Sequence, residues 1–215
     1  MARSDNARID NARIAEVFDA TAPQYDRQIR FSERRLLGNP RRWAIGHASG
    51  RVLEIAVGTG LNLPLYGPDV TAVTGIDLSA GMLAHAQQRI TDHRLRHCEV
   101  RRGDVQALDL ADESVDTVVS TLSYCTIPDP AAASAQAMRV LVPGGRFVLV
   151  EHGPSTNRVL TWFMRAIEPL TLKFMADHLV RDPVPYLEDT GFVIDSVDRT
   201  GLGGNCFRVL AHKPE

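Results

Sequence analysis

Short, nearly continuous apolar runs alternate along this chain with stretches whose apolar residues recur every three or four positions. The runs at 51–56, 70–76, 99–102, 115–121 and 146–151 have the length and branched side chains of buried strands. Residues 61–65, the segment from Ser79 and residues 131–141 have helical spacing, and Met82, Leu83, Ala86 and Ile90 share one face behind Ser79, a fitting N-cap. Pro143-Gly144-Gly145 predicts the turn that enters the fifth strand. Strand and helix in alternation predict an α/β fold, a doubly wound parallel sheet covered on both faces. Ahead of it, Val17, Phe18, Ala22, Tyr25, Ile29, Phe31, Leu36 and Leu37 predict an α-helical cover spanning 1–48. The pentapeptide Asp-Asn-Ala-Arg-Ile occurs there twice, at 5–9 and 10–14, and reads as a frayed arm or helix start. Behind the sheet pattern, 158–175 predicts an apolar helix pair broken at Pro169, followed by a short helix near 185–189. Residues 192–197 and 206–211, joined across Gly201-Leu-Gly-Gly204, predict an antiparallel hairpin.

Composition narrows the class. At 215 residues the chain is long enough for one domain with a core that needs no disulfides or metal. A net charge of −2 argues against nucleic acid as a partner. Cys98, Cys125 and Cys206 are odd in number and far apart, so neither a disulfide framework nor a metal cluster is expected. No signal-peptide pattern opens the chain, and Arg165, Glu168 and Lys173 interrupt its longest apolar helix, so a cytoplasmic protein without a transmembrane segment is expected. Contact with a membrane surface stays open, as does the choice between monomer and homodimer.

The most informative segment is Val52-Leu-Glu-Ile-Ala-Val-Gly-Thr-Gly60, a buried strand running into a glycine turn. Gly58 and Gly60 allow a sharp turn and close backbone approach to a ligand. A dinucleotide fingerprint would place its third glycine where Leu63 stands. Acids fall at the ends of the first three strands, Glu54, Asp77 and Asp104, and would oppose a pyrophosphate. They suit S-adenosylmethionine, whose sulfonium, ammonium, ribose hydroxyls and adenine amine all seek acceptors.

With Thr74-Gly-Ile-Asp77, Gly103-Asp-Val105, Asp112-Glu-Ser-Val-Asp-Thr-Val-Val-Ser120 and Val140-Leu-Val-Pro-Gly-Gly-Arg146 in order, residues 50–212 resemble the class I S-adenosylmethionine-dependent methyltransferases. The resemblance implies a Rossmann-like seven-stranded sheet of order 3-2-1-4-5-7-6 with the last strand antiparallel, and substrate-cap helices inserted at 154–190. It places Gly58, Thr59 and Gly60 under the amino-acid part of the cofactor, Asp77 on the ribose and Leu78 over the adenine. Asp104 would accept the adenine amine, the Val105 amide would donate to a ring nitrogen, Glu54 would order the loop and the Thr121 carbonyl would meet the ammonium. Ala56 replaces a glycine frequent in the family, a change tolerated if the residue is still strand.

The acceptor is less defined. Tyr25-Asp26 and Arg41-Arg42-Trp43 look like the ubiquinone and menaquinone C-methyltransferases. Ser120-Thr-Leu-Ser-Tyr-Cys-Thr-Ile127 and Glu151-His-Gly153 look more like small thiol S-methyltransferases and bacterial phospholipid N-methyltransferases. The expected reaction is methyl transfer to a small apolar or aromatic molecule, with a thiol ranked ahead of a quinone carbon and a phospholipid amine; the rival is a non-catalytic cofactor-binding module. His152, just past the fifth strand, is the candidate general base, and Tyr124 is expected to face the methyl. Tyr25 is a further cofactor contact. Cys125 has no sequence-local base and reads as a small buried hydrophobe. Trp162, Phe163, Met164, Phe174 and Met175 suggest an apolar acceptor pocket, and Arg30, Arg34, Arg35, Arg41 and Arg42 a solvated face able to attract an anionic head group.

Overall fold

The computed structural model describes residues 10–38 and 40–215. Seven strands form one sheet in the order β3-β2-β1-β4-β5-β7-β6. β1 (Gly50–Ile55), β2 (Val70–Asp77), β3 (Cys98–Arg102), β4 (Val115–Thr121) and β5 (Leu141–His152) pair in parallel. β7 (Cys206–His212) runs antiparallel to both β5 and β6 (Val193–Thr200). Strand periodicity puts Leu53, Val118, Phe147 and Leu149 into one core and their neighbours Val52, Val119, Val148 and Val150 into the other. Both faces are therefore buried, as parallel strands require.

Helix α1 (Asn11–Ser32) starts at the second copy of the repeated pentapeptide, where the Asp10 carboxylate accepts the Arg13 amide at 2.8 Å. The first copy lies outside the described residues. A π-helical turn (Glu33–Leu37) and α2 (Arg41–Ile45) lead into β1. α3 (Ala80–His93) is capped by the Ser79 hydroxyl, and α4 (Pro130–Val140) by Asp129. α5 (Arg158–Met175) and α6 (Val184–Thr190) complete the α-helices of the described residues.

Four local expectations are corrected. Residues 61–65 form only a short 3₁₀ turn, Leu63–Leu65, because Pro64 sits at its start and the Glu54 carboxylate holds Asn62 and Tyr66 on either side. β5 begins at Leu141 and absorbs the expected Pro-Gly-Gly turn as a register shift opposite Val115 and Thr117, with Gly144 at φ 70°. α5 continues through Pro169: the carbonyl of Arg165, which loses its helical donor there, belongs to an exposed turn that water can reach. Ala56 is not strand. It takes φ 51°, the left-handed conformation in which a glycine has no Cβ penalty.

Ala56→Gly is therefore expected to raise the unfolding free energy by about 1 kcal/mol, the strain released less the extra freedom of an unfolded glycine. The urea midpoint reads this directly, and an unchanged or lower midpoint would mean that the alanine methyl packs well enough to offset its strain.

Candidate functional site

A cavity enclosing about 720 Å³ opens at the carboxyl ends of β1, β2 and β4, where a doubly wound sheet leaves a crevice. Its floor is the loop from Ala56 to Thr59, and its sides carry Asp77, Leu78, Val105 and Thr121. Gly58 at φ 56° faces open space where a Cβ would stand, a cradle shaped for a ligand lying close to the backbone. Gly60 has a different reason: a Cβ there would lie 2.7 Å from Leu63 Cδ1, so it allows the loop to close on α3.

Asp77 joins two elements. Its Oδ2 accepts the Gly58 amide at 2.8 Å and its Oδ1 accepts the Ser79 amide at 2.9 Å. Burial pushes this carboxyl above the usual range, against the pull of those amides. Glu54 lies beneath the loop, accepting Asn62 Nδ2 and Tyr66 Oη, each at 2.8 Å. Arg41 completes that layer, donating to Asn62 Oδ1 at 3.1 Å and Thr121 Oγ1 at 3.2 Å while pairing with Glu33 at 2.6 Å. Arg41 is buried and lines the cavity, so it leaves the solvated arginine face expected for it; Arg30 and Arg42 are exposed, and the Arg34 and Arg35 side chains lie outside the described residues.

α1 closes the cavity. Ile14, Phe18 and Tyr25 face inward, with Phe18 and Tyr25 meeting edge to face at 6.3 Å. Burial raises the Tyr25 phenol to about 12, so it stays neutral. Polar residues at 11, 19 and 26, two helical turns apart, bind successive loop ends. Asn11 donates to Asp104 Oδ2 at 2.6 Å; Asp19 accepts the Gly81 amide at 2.8 Å and the Ser79 hydroxyl; Asp26 accepts Thr59 Oγ1 at 2.6 Å and pairs with Arg89 at 2.5 Å. Asn11, Asp19 and Arg89 were not read as site residues from the sequence, because single polar residues on a helix look like a solvated face.

Three expected residues stand elsewhere. Tyr124 is 0% exposed, packs on Phe147 and bonds to the Ser134 hydroxyl at 3.0 Å, so it is core and off the cavity wall. The chain turns left-handed at Leu122 (φ 55°), carrying the wall along Ser123, Thr126 and Ile127. His152 also lies off that wall, with Nε2 3.1 Å from Asp177 Oδ1. Burial draws its ring down, yet Asp177 and Glu151 outweigh burial and raise it to about 9; without a further partner the ring is charged at neutral pH and is not a base. Asp104 is taken up by Asn11 and by the Gln106 amide at 2.9 Å, outside the main cavity.

Burial carries the Glu54 carboxyl from 4.5 up to about 7, despite Tyr66, Asn62 and Arg41. A raised acid is protonated in the folded state while ionised in the unfolded one, so its contribution to stability is complete below pH 4.5 and is lost as pH rises through 7. The loss should amount to about 3 kcal/mol. Urea unfolding of Glu54→Gln is expected to show a flatter pH profile across this window than the parent chain.

Comparison with known proteins agrees with this geometry. The family model described as a methyltransferase domain matches residues 53–149. The chain is 41% identical over 140 residues to a phosphatidylethanolamine N-methyltransferase of Cereibacter sphaeroides, spanning 62% of this chain and 68% of that protein. It is 32% identical over 194 residues to a demethylmenaquinone methyltransferase of Lactiplantibacillus plantarum, spanning 82% and 79%. Among solved structures, a methyltransferase from Aquifex aeolicus shares the fold with a TM-score of 0.61 at 18% identity, covering 95% of this chain and 98% of that one. The glycine cradle, the carboxylate beside it and these relatives together make the chain a member of the S-adenosylmethionine-dependent methyltransferase family.

Proposed function

We propose that this methyltransferase methylates the amine of a phospholipid headgroup while resting on a membrane surface. The exposed side of α5 carries the proposal. Val159, Trp162, Phe163, Ala166, Leu170 and Phe174 recur at three- and four-residue intervals, with Val159 76% and Trp162 70% exposed. Arg158, Arg165 and Lys173 are exposed on the same helix. An apolar stripe with an aromatic end and flanking cations suits a helix lying in the lipid interface. Among the described residues no helix is long and apolar enough to cross a membrane, so the contact would be peripheral. Arg13 Nη2 bonds to the Lys173 carbonyl at 3.2 Å, which puts the end of α5 against the first turn of α1, beside Ile14 of the cavity wall.

The acceptor atom follows the relative that acts on phosphatidylethanolamine. Quinone C-methylation is the second reading, favoured by the greater span of the demethylmenaquinone methyltransferase match. The thiol expectation loses its rank, since neither relative's name supports it and a small soluble thiol needs no exposed apolar helix.

When bound, S-adenosylmethionine supplies a methyl activated by its sulfonium. The chain's own task is positioning, because holding a neutral amine about 3 Å from that carbon supplies much of the rate. We assign the ribose hydroxyls to Asp77, the close backbone approach to Gly58, Thr59 and Gly60, and the apolar walls around the base to Leu78 and Val105. Thr121 and Tyr25 border the amino-acid end, and Asp104 becomes available to the adenine amine once Asn11 releases it. Glu54 acts from below by holding the loop. The amine's proton leaves to solvent, so neither His152 nor Tyr124 is required as a base.

Incubation with methyl-labelled S-adenosylmethionine and vesicles of phosphatidylethanolamine, vesicles bearing a demethylated naphthoquinol, or soluble thiols tests the reading. Label is expected in the lipid amine, and Trp162→Ser with Phe163→Ser is expected to lower vesicle-dependent turnover at least tenfold with cofactor affinity unchanged. Label confined to the quinol would establish the second reading, and label on thiols with no effect of the α5 substitutions would refute both.

A further inference from the structure

The loop after β4, the end of β5 and the segment after α5 bring together three groups that methyl transfer does not use. Cys125, His152 and Asp177 place one ligand atom each within 4.8 Å of one another. They are set apart from the cavity wall, although Thr126 and Ile127, which follow Cys125, belong to it.

The cluster leaves one polar atom unsatisfied as it stands. Asp177 Oδ1 is buried and has no hydrogen-bond partner among the described residues, although His152 Nε2 is only 3.1 Å away. The approach is close, but it is not aligned as a hydrogen bond. Cys125 is 3% exposed. A fully buried Glu151 adds another carboxyl, with Oε1 3.8 Å from His152 Nε2.

We propose that Cys125 Sγ, His152 Nε2 and Asp177 Oδ1 bind one divalent cation of the zinc class. A thiolate, an imidazole and a carboxylate form a borderline-soft donor set, which suits zinc better than magnesium or calcium. His152 Nε2 and Asp177 Oδ1, 3.1 Å apart, already stand near the donor separation of a tetrahedral site, and Cys125 Sγ, within 4.8 Å of both, reaches it by drawing in about 1 Å, within the reach of side-chain rotation. Binding exchanges protons for metal: the thiol proton and the imidazolium proton go to solvent, and three donor–metal bonds form. The doubly negative ligand set then cancels the cation's charge.

The surroundings already orient the ligands. Glu151 accepts the Cys125 amide through Oε2 at 3.1 Å and the His152 amide through Oε1 at 2.8 Å, fixing the backbone of two ligands at once. The His178 amide bonds to the Cys125 carbonyl at 3.0 Å, which draws the third ligand's segment onto the first. Arg181 holds the same loop through the carbonyls of Tyr124 and Ile127, at 2.6 and 2.7 Å. His152 and Asp177 keep 15% and 16% of their side chains exposed, which gives a metal a way in. A cation here would clamp the loop that forms one wall of the cavity to β5 and to the segment leaving α5. The three ligands come from separate elements, so their sequence spacing shows no metal motif.

Cobalt titration of the chelator-treated full chain tests the proposal without reference to methyl transfer. One Co²⁺ per chain is expected, with a thiolate-to-cobalt charge-transfer band in the near ultraviolet that Zn²⁺ bleaches. Cys125→Ser should abolish the band, and Asp177→Asn should weaken binding at least tenfold. Should Cys125→Ser fail to fold, zinc is expected to slow alkylation of Cys125 at least tenfold in the parent chain, read by peptide mass spectrometry. Absence of a saturable band in the parent chain, a band that persists in folded Cys125→Ser, or alkylation indifferent to zinc would each overturn the site.

Discussion

The site depends on one half-buried carboxylate. Asp77 ends β2 and accepts the backbone amides of Gly58 and Ser79, so the glycine loop after β1 and the start of α3 are held by one side chain. From Ser79 the connection continues upward, since its hydroxyl receives the Met82 amide to cap α3 and bonds to Asp19 of α1. The floor of the cavity, the helix beside it and the helix over it are thereby linked through two small side chains. Burial disfavours the Asp77 charge, and the two amides offset only part of that cost. A ligand offering hydroxyls at this carboxylate would do the same.

Above this floor α1 is held by polar bonds as well as by the buried Ile14, Val17 and Ala22. Asn11, Asp19 and Asp26 each reach a different loop, and the inward face between them is Ile14, Phe18 and Tyr25. Such bonds each contribute about 1 kcal/mol net, which is enough to favour closure without preventing opening. Asn11 occupies Asp104 with an amide donor, the same kind of group that an adenine amine would bring. Under the proposed assignment of the adenine amine to Asp104, this contact and the base would compete for one acceptor.

The parts of the molecule legible in the sequence are those specified by local pattern. Short apolar runs located the strands, Gly201 to Gly204 located the hairpin link, and the glycine turn with Asp77 located the crevice. Long-range geometry was not legible in the same way. Tyr124 reads as a site residue because it follows β4, yet the left-handed Leu122 redirects the chain and sends the ring into the core. His152 is the last residue of β5 rather than past it, and Asp177, 25 residues later, faces it and turns a candidate base into a charged partner. Arg41 resembles its neighbours Arg42 and Arg30 in sequence, and its buried partners Glu33, Asn62 and Thr121 explain its place in the cavity wall. Cys125 shows no partner until three separate elements converge on it.

Calorimetric titration of S-adenosylmethionine into the parent chain and Asp77→Asn addresses the central claim most directly. An asparagine keeps the size of the side chain but turns one acceptor into a donor facing backbone amides. The expected result is binding by the parent chain and at least tenfold weaker binding by a variant whose circular dichroism still reports the full sheet. Equal affinity in the two proteins would contradict the account, because it would place the cofactor's anchoring away from the carboxylate on which the floor of the cavity is built.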